Sequence, residues 1–466
     1  MTDGPGSVAD LIRSAAEAAV DFRSGLADRP VARAVDRTAL LTALGGPLPA
    51  RPTAADRVID DLVAAVDSGL VASAGPRFFG FVVGGSLPAA TAADILAVGW
   101  DQLAFNATSS PAASVVEEVA GGWLKELLGL PSTASVGFGT GAQSANTVGL
   151  AAGRHRVLTA AGWDIERDGL AGSPRLRVVA SVERHATVDR SLRLLGLGTA
   201  SVAPVAADVH GAIDIVDLAR VLAVDQAAPT ILVLQSGNVN TGACADLRTA
   251  IGLARGLGNC WVHVDGAFGL WAAACPQTRH LVDGIELADS WCTDGHKWLN
   301  VPYDCGLVFC ADPTAHVAAA SYTAAYLAGA GAAHSPSDDV LESSRRARGF
   351  AVWAALRELG SSGVADLVSR CCALARRFAD GLAAGGVRIV NDVVLNQVLV
   401  SFGSDEHADE RTDAVIDAVQ RDGTCWLAGT TWRGRRLMRV SVSNWSTTAD
   451  DVDRSVAAVL RVAAGL

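Results

Sequence analysis

Residues 260–269, CWVHVDGAFG, begin as an apolar, strand-forming run, reach an aspartate at position 265 and then change to small residues. A run without polar alternation reads as a strand buried on both faces, the condition of a parallel sheet covered by helices. The glycine and alanine after Asp265 let another group approach the backbone closely. Ligands of such sheets sit beyond the C-terminal ends of the strands, so Asp265 stands where a carboxylate faces a ligand. Further along, ADSWCTDGHKW (288–298) reads as a second short strand, ending in Asp294, Gly295, His296 and Lys297. Both strand ends are expected to face one pocket.

Working outward, RLRVVASV (175–182) and PTILVLQSG (229–237) supply further buried strands separated by helical stretches. The expected organisation is a helical N-terminal arm over 1–85, a large α/β domain over 86–360 and a smaller α+β domain over 361–466. The arm is read from helical patterns such as VADLIRSAAEAAVDFR with proline-containing joins. The last domain is read from long helices and the short strands VRIVND, QVLVSFG and RLMRVSVSN.

Composition narrows the function. Half of the 466 residues are hydrophobic, yet no stretch approaches the roughly 18 apolar residues of a membrane span. A net charge of −11 with scattered arginines argues against a nucleic-acid surface. The nine cysteines form no CxxC pair, so neither a zinc ribbon nor a secreted disulfide framework is expected, and no metal site is assigned. The opening MTDGPGSVADLIRS has no basic segment followed by an apolar run, and the expected location is cytoplasmic.

The chain has only two lysines, and wherever else a cation is used it is arginine. A deprotonated lysine amine condenses with a carbonyl, which a guanidinium does not do. If that carbonyl is pyridoxal phosphate, the site also needs an anion for the pyridine nitrogen, a phosphate cradle and a group to lie against the ring. Asp265 is the candidate anion. GFGTGAQSANTVGLAAGR (137–154) is the candidate cradle, a small-residue turn opening a helix whose free amides bind phosphate. His185, just after a strand, is the candidate ring partner. Taken singly, each has a plainer reading: an ordinary loop, a helix cap, a core histidine, a surface lysine. A nucleotide-dependent dehydrogenase is a poorer fit, because the glycine turn lacks the acidic ribose-binding residue in its expected context.

HVDGAFG (263–269), DGHKWLNVPYDCG (294–306), SSRRARGFAVWAALRELG (343–360) and GTTWRGRRLMRVSVSNWSTT (429–448) together resemble the group II pyridoxal-phosphate-dependent amino acid decarboxylases, the relatives of aromatic L-amino acid and glutamate decarboxylases. The resemblance covers nearly the whole chain. It implies an aspartate aminotransferase-like fold: fold type I, with a mainly parallel sheet covered by helices on both faces and a smaller α+β domain. It also implies a homodimer with active sites at the interface. By residue matching, Lys297 holds the cofactor, Asp265 pairs with its ring nitrogen, His185 stacks on its face and Ala267 lies behind it. Gly141, Ala142, Gln143, Asp294 and His296 match the phosphate pocket, and Asn240 a position on the O3' side. Tyr326, in SYTAAYLAGAGAAHSPSDD (321–339), matches the loop tyrosine that returns a proton after CO2 leaves.

Phe79, Phe81, Leu103 and Phe105 match the side-chain pocket, the last two across a dimer interface. Their apolar character favours an aromatic or large aliphatic substrate over glutamate, since a second buried carboxylate requires a cation. Arg77 is read either as that cation or as a structural ion pair, and Arg345 of SSRRAR as a residue holding subunits and cofactor domain together. The resemblance thus implies decarboxylation to an amine. Its rivals are oxidative deamination to an aldehyde or aldolase-type cleavage on the same fold, and a non-catalytic cofactor-binding protein.

Overall fold

The computed structural model describes residues 7–32, 35–322 and 334–466. Seven strands form the main sheet: β1 (Ser135–Gly139), β2 (Arg177–Ser181), β3 (Val202–Val205), β4 (Thr230–Gln235), β5 (Cys260–Asp265), β6 (Ser290–Asp294) and β7 (Gly306–Cys310). Their order is β1-β7-β6-β5-β4-β2-β3. Pairings from β3 through β6 are parallel, whereas β7 runs antiparallel to both β6 and β1.

Alternate residues of the central strands enter two different cores. Val178, Ile231, Val233 and Trp261 pack in one cluster with Ala145, Val148 and Ala152 of the helix Ala142–Ala160. Val179, Leu232, Leu234 and Val262 pack in the other with Ala250, Ile251 and Ala254 of the helix Leu247–Arg255. Both faces of the sheet are therefore covered by helices, as the unbroken apolar runs require.

The helix Ala142–Ala160 lies close to the sheet because it is built from small residues. A Cβ at Gly149 would stand 2.7 Å from the His263 ring, and one at Gly153 would stand 2.6 Å from Trp261. His263, fully buried in β5, fixes this contact: Nε2 bonds Asn146 Oδ1 at 2.8 Å and Nδ1 meets Ser290 Oγ at 2.8 Å. Ser290 Oγ also accepts from Trp261 Nε1. Asn146 Oδ1 only accepts, so a ring proton belongs on Nε2, and Ser290, whose Oγ takes the Trp261 N–H, donates its own proton to Nδ1, the arrangement of a neutral imidazole.

The second sheet holds β8 (Arg388–Ile389), β9 (Gln397–Ser401), β10 (Ala428–Trp432) and β11 (Arg435–Ser441), all antiparallel, in the order β10-β11-β9-β8. A helical segment, Gly349–Ala384, connects the two sheets and breaks at Gly360, whose φ of 61° and ψ of 178° interrupt the helix. At the other end of the chain, helices Val8–Ser24, Arg37–Leu44 and Ala55–Val66 have no buried residue. No helix among the described residues is long and apolar enough to cross a membrane.

Three side chains join distant parts of the sequence. Arg77 donates to the carbonyls of Ala27 and Thr424 and pairs with Asp451, so its role is the structural one of the two expected. Arg345 forms a buried pair with Glu117 and donates to Phe138 O. Asn300 accepts from Gly85 N and Trp445 N through Oδ1 and donates from Nδ2 to Trp298 O and Ser443 O.

Burial pushes the His263 imidazole down to about 4. Because its folded value lies below the unfolded one, the stability it contributes is complete above the unfolded histidine range near ~6.5 and is lost as pH falls toward the folded value. Urea denaturation at pH 7 and pH 4.5 is expected to show a loss of roughly 2–3 kcal/mol that a His263→Gln variant does not share. Equal losses in both proteins would contradict this role.

Candidate active site

The C-terminal ends of β5 and β6 open into a cleft of about 460 Å³, within the range of small-molecule sites. Its walls hold Gly141, Ala142, Gln143, His185, Asn240, Asp265, Ala267, Asp294, His296 and Lys297, together with Phe81 from the N-terminal third and Thr430 and Arg439 from the second sheet. Ten positions singled out for cofactor contact thus lie around one cavity. Tyr326 lies outside the described residues.

Asp294 organises the floor. Its Oδ1 accepts from Ala142 N at 2.6 Å, at the start of the helix Ala142–Ala160, and its Oδ2 pairs with Lys297 Nζ at 2.8 Å. His296 Nε2 stands 3.5 Å from Oδ1, while its Nδ1 accepts from Cys305 N at 3.0 Å. Burial pushes the His296 imidazole down, partly offset by Asp294, and its ring tilts against Tyr303 with centroids 4.4 Å apart. Burial also pushes the Tyr303 phenol up to about 12. The lysine turn is held from behind as well, since a Cβ at Gly84 would fall 1.8 Å from Lys297 O.

The glycine turn lets the helix start, the lysine turn and β7 approach one another closely. A Cβ at Gly141 would approach His296 Cε1 to 3.3 Å, and one at Gly306 would collide with Gly141 at 2.3 Å. The Gln143 side chain is engaged elsewhere, donating from Nε2 to Ser191 Oγ at 2.9 Å and Thr187 O at 3.3 Å.

Asp265 is 3 % exposed, and its Oδ1 accepts from Ala267 N at 3.2 Å. His185 caps the helix Ala186–Leu194: its Nδ1 accepts from Thr187 N at 3.2 Å and meets Thr187 Oγ1 at 2.8 Å. The plain capping reading and a place on the cleft wall therefore hold together. Burial pushes the His185 imidazole down and Asp265 pulls it back. Asn240 Oδ1 accepts from Thr430 Oγ1 at 2.8 Å.

The expected side-chain pocket is only partly assembled. Phe81 and Val82 both have positive φ, 56° and 57°, a conformation costing on the order of 1–2 kcal/mol per residue. This turn leaves Phe81 60 % exposed at the cleft, stacked in a tilted arrangement on Trp426 at 5.1 Å. Trp426 in turn lies flat on Phe78 at 4.8 Å. Phe79, by contrast, is buried edge-on against Phe378 and does not line the cleft, because the chain departs from an extended path at the left-handed Phe81 and Val82. Leu103 bridges to Arg346, and Phe105 O accepts from Ser337 N; neither lines this chain's cleft.

Arg439 is a charged wall residue that sequence reading passed over. It lies in β11, 9 % exposed, with Nη1 donating to Val239 O at 3.1 Å and Nε without a partner. The available signal was an arginine set among Leu437, Met438 and Val440 in the buried part of the strand RRLMRVS.

A paired lysine amine, a buried strand-end carboxylate and a glycine turn at a helix start form the donor set that pyridoxal phosphate requires, so the residues fit that cofactor. They define a pyridoxal-phosphate enzyme of fold type I. Residues 40–403 match the pyridoxal-dependent decarboxylase conserved domain. The chain is 28 % identical to tryptophan decarboxylase 1 of Oryza sativa subsp. japonica, covering 94 % of this chain and 90 % of the relative. It is 26 % identical to 4-hydroxyphenylacetaldehyde synthase of Rhodiola rosea, covering 87 % and 84 %. The crystal structure of Oryza sativa TDC with PLP and tryptamine superposes with a TM-score of 0.90 at 25 % identity, over 100 % of this chain and 99 % of that one. The chain belongs to the pyridoxal-dependent decarboxylase family and is a pyridoxal-phosphate-dependent amino acid decarboxylase, a carboxy-lyase.

Replacing Asp294 by alanine removes the acceptor of a buried amide and the partner of Lys297. Urea denaturation of the cofactor-free Asp294→Ala variant is expected to show a loss of about 1–3 kcal/mol. Unchanged stability would mean that Asp294 does not organise the floor.

Proposed function

We propose that the protein is a cytoplasmic homodimer that decarboxylates an aromatic or large aliphatic L-amino acid to the corresponding amine and CO2. The observation that carries the substrate class is Phe81, which lines the cleft and is backed by Trp426 and Phe78, so that an aromatic face meets an incoming side chain. Charge supports the same reading. Arg439 is the guanidinium on the wall, and burial lowers its pKa, so an anion that pairs with it offsets a desolvation cost. That suits the one α-carboxylate of a neutral amino acid. A second carboxylate, as in glutamate, would need another arginine in the cleft, and none lines it among the described residues.

In this reading Lys297 holds pyridoxal phosphate, Asp265 faces its ring nitrogen, His185 lies on its face and Ala267 lies behind it. Gly141, Ala142, Gln143, Asp294 and His296 surround the phosphate, with Gln143 contributing main chain, and Asn240 serves the O3' side. Bound pyridoxal phosphate supplies the electron sink that lets the substrate carboxylate leave as CO2. Asp265 keeps negative charge at the sink, Arg439 orients the carboxylate, and the apolar wall excludes water. Tyr326 delivers the proton to the α-carbon, which keeps the product an amine. Phe79 is withdrawn from the substrate pocket, and Leu103 and Phe105 are assigned to the cleft of a second copy.

A second copy is also the proposed cover for the N-terminal arm, where Val8, Ile12, Val20, Val58, Leu62 and Val63 are exposed on strongly one-sided helices. Nine free cysteines, seven of them buried, suit a reducing compartment. The domain division at residues 85 and 360 is retained as part of this proposal.

Product mass spectrometry on the cofactor-loaded enzyme with a panel of L-amino acids in air tests the reaction. Amines from tryptophan, tyrosine, phenylalanine or leucine, with none from glutamate, are expected. Aldehyde formation with oxygen consumption would overturn the proton-delivery role of Tyr326. Turnover of glutamate would overturn the aromatic-wall reading.

A further inference from the structure

Behind the cleft, Asp265 has a neighbour that the reaction described above does not use. Cys292, on β6, sits opposite Asp265 in the parallel register of β5 and β6, and the two residues share a fully buried strand interface. Its Sγ lies 3.5 Å from Asp265 Oδ1 in donor geometry. Gly266 N donates to Cys292 O at 3.1 Å, which ties the main chain at the thiol to the turn after Asp265. Oδ1 of Asp265 thus receives two donors, Ala267 N–H and Cys292 S–H, whereas Oδ2 receives none among the described residues.

We propose that Cys292 is a positioning residue: its thiol holds Oδ1 of Asp265 so that Oδ2 is the oxygen presented to the ring nitrogen of pyridoxal phosphate. The proposal rests on the assignment of Asp265 to that nitrogen. Two donors on one oxygen resist rotation of the carboxylate about its Cβ–Cγ bond, because rotation loses both bonds at once. A buried acceptor deprived of its donors is costly, which makes the arrangement self-enforcing. Burial and the nearby charges of Asp265 and Asp294 push the thiol well above its ordinary range, so it stays protonated and remains a donor. A thiol suits the place: it is apolar enough for a strand interface and still carries one weak donor.

The test uses the full-length protein loaded with pyridoxal phosphate, comparing wild type, Cys292→Ala and Cys292→Ser. In the alanine variant the affinity for the cofactor is expected to fall about 3–10-fold, the range of one ordinary hydrogen bond, as suits a weak thiol donor. The pH midpoint at which the cofactor's visible band changes, which follows the ring-nitrogen environment, is expected to move in the same variant. Serine retains a donor and is expected to return both values toward wild type. A purely structural thiol would lower stability in the alanine variant and leave the band's pH midpoint unchanged, and that result overturns the proposal.

An independent reading comes from infrared spectroscopy of the cofactor-free protein. The S–H stretch of Cys292, identified by its disappearance in Cys292→Ser, is expected to shift toward the free-thiol frequency in Asp265→Ala. No shift would overturn the hydrogen bond itself. Failure of wild type to bind pyridoxal phosphate would instead strike at the assignment of Asp265, a separate outcome from equal behaviour of wild type and Cys292→Ala.

Discussion

The Asp294 carboxylate is the constraint on which the site depends. It ends β6, takes the first amide of the helix Ala142–Ala160 on one oxygen and the Lys297 ammonium on the other. A strand end, a helix start and a reactive amine are thereby held within one carboxylate's reach. A buried carboxylate is tolerated only when paired and hydrogen-bonded, and here both conditions are met at once. The rest of the fold keeps those three pieces in register: Gly149 and Gly153 let the helix approach β5, His263 locks it there, and Asn300 fastens the lysine turn to the segments at Gly85 and Trp445.

Much of this was legible in the sequence because strand burial leaves a strong pattern. PTILVLQ and CWVHVD carry no alternation, and both became fully parallel central strands. The strands β1, β3 and β10 carried weaker signals for identifiable reasons. SVGFG is rich in glycine, VAPV contains proline at the sheet edge, and AGTTW is short and polar. The antiparallel direction of β7 is a matter of topology that no local pattern encodes.

The site was legible to a similar degree. Residues adjacent to strand ends, such as Asp265, Asp294 and Lys297, could be placed together because parallel sheets gather their C-terminal ends. Phe79 and Phe81 could not be separated, since which of the two faces the cleft depends on left-handed backbone at Phe81 and Val82, residue types that rarely adopt it. Arg439 escaped notice because its importance comes from the second sheet folding against the first, a long-range event. The two lysines are set apart by their surroundings: Lys125, in the last turn of the helix Pro111–Leu128, donates to Ser132 O and Ala134 O of the loop that follows, whereas Lys297 faces the cleft.

That contrast offers the most direct test of the central claim that Lys297 is the cofactor's attachment point. The holoenzyme would be reduced with borohydride, digested and mapped by mass spectrometry for the stable pyridoxyl adduct. With two lysines in the chain, the outcome has little room for ambiguity. The adduct is expected on the peptide containing Lys297 and absent from that containing Lys125. An adduct on Lys125, or none on either lysine, would contradict the account.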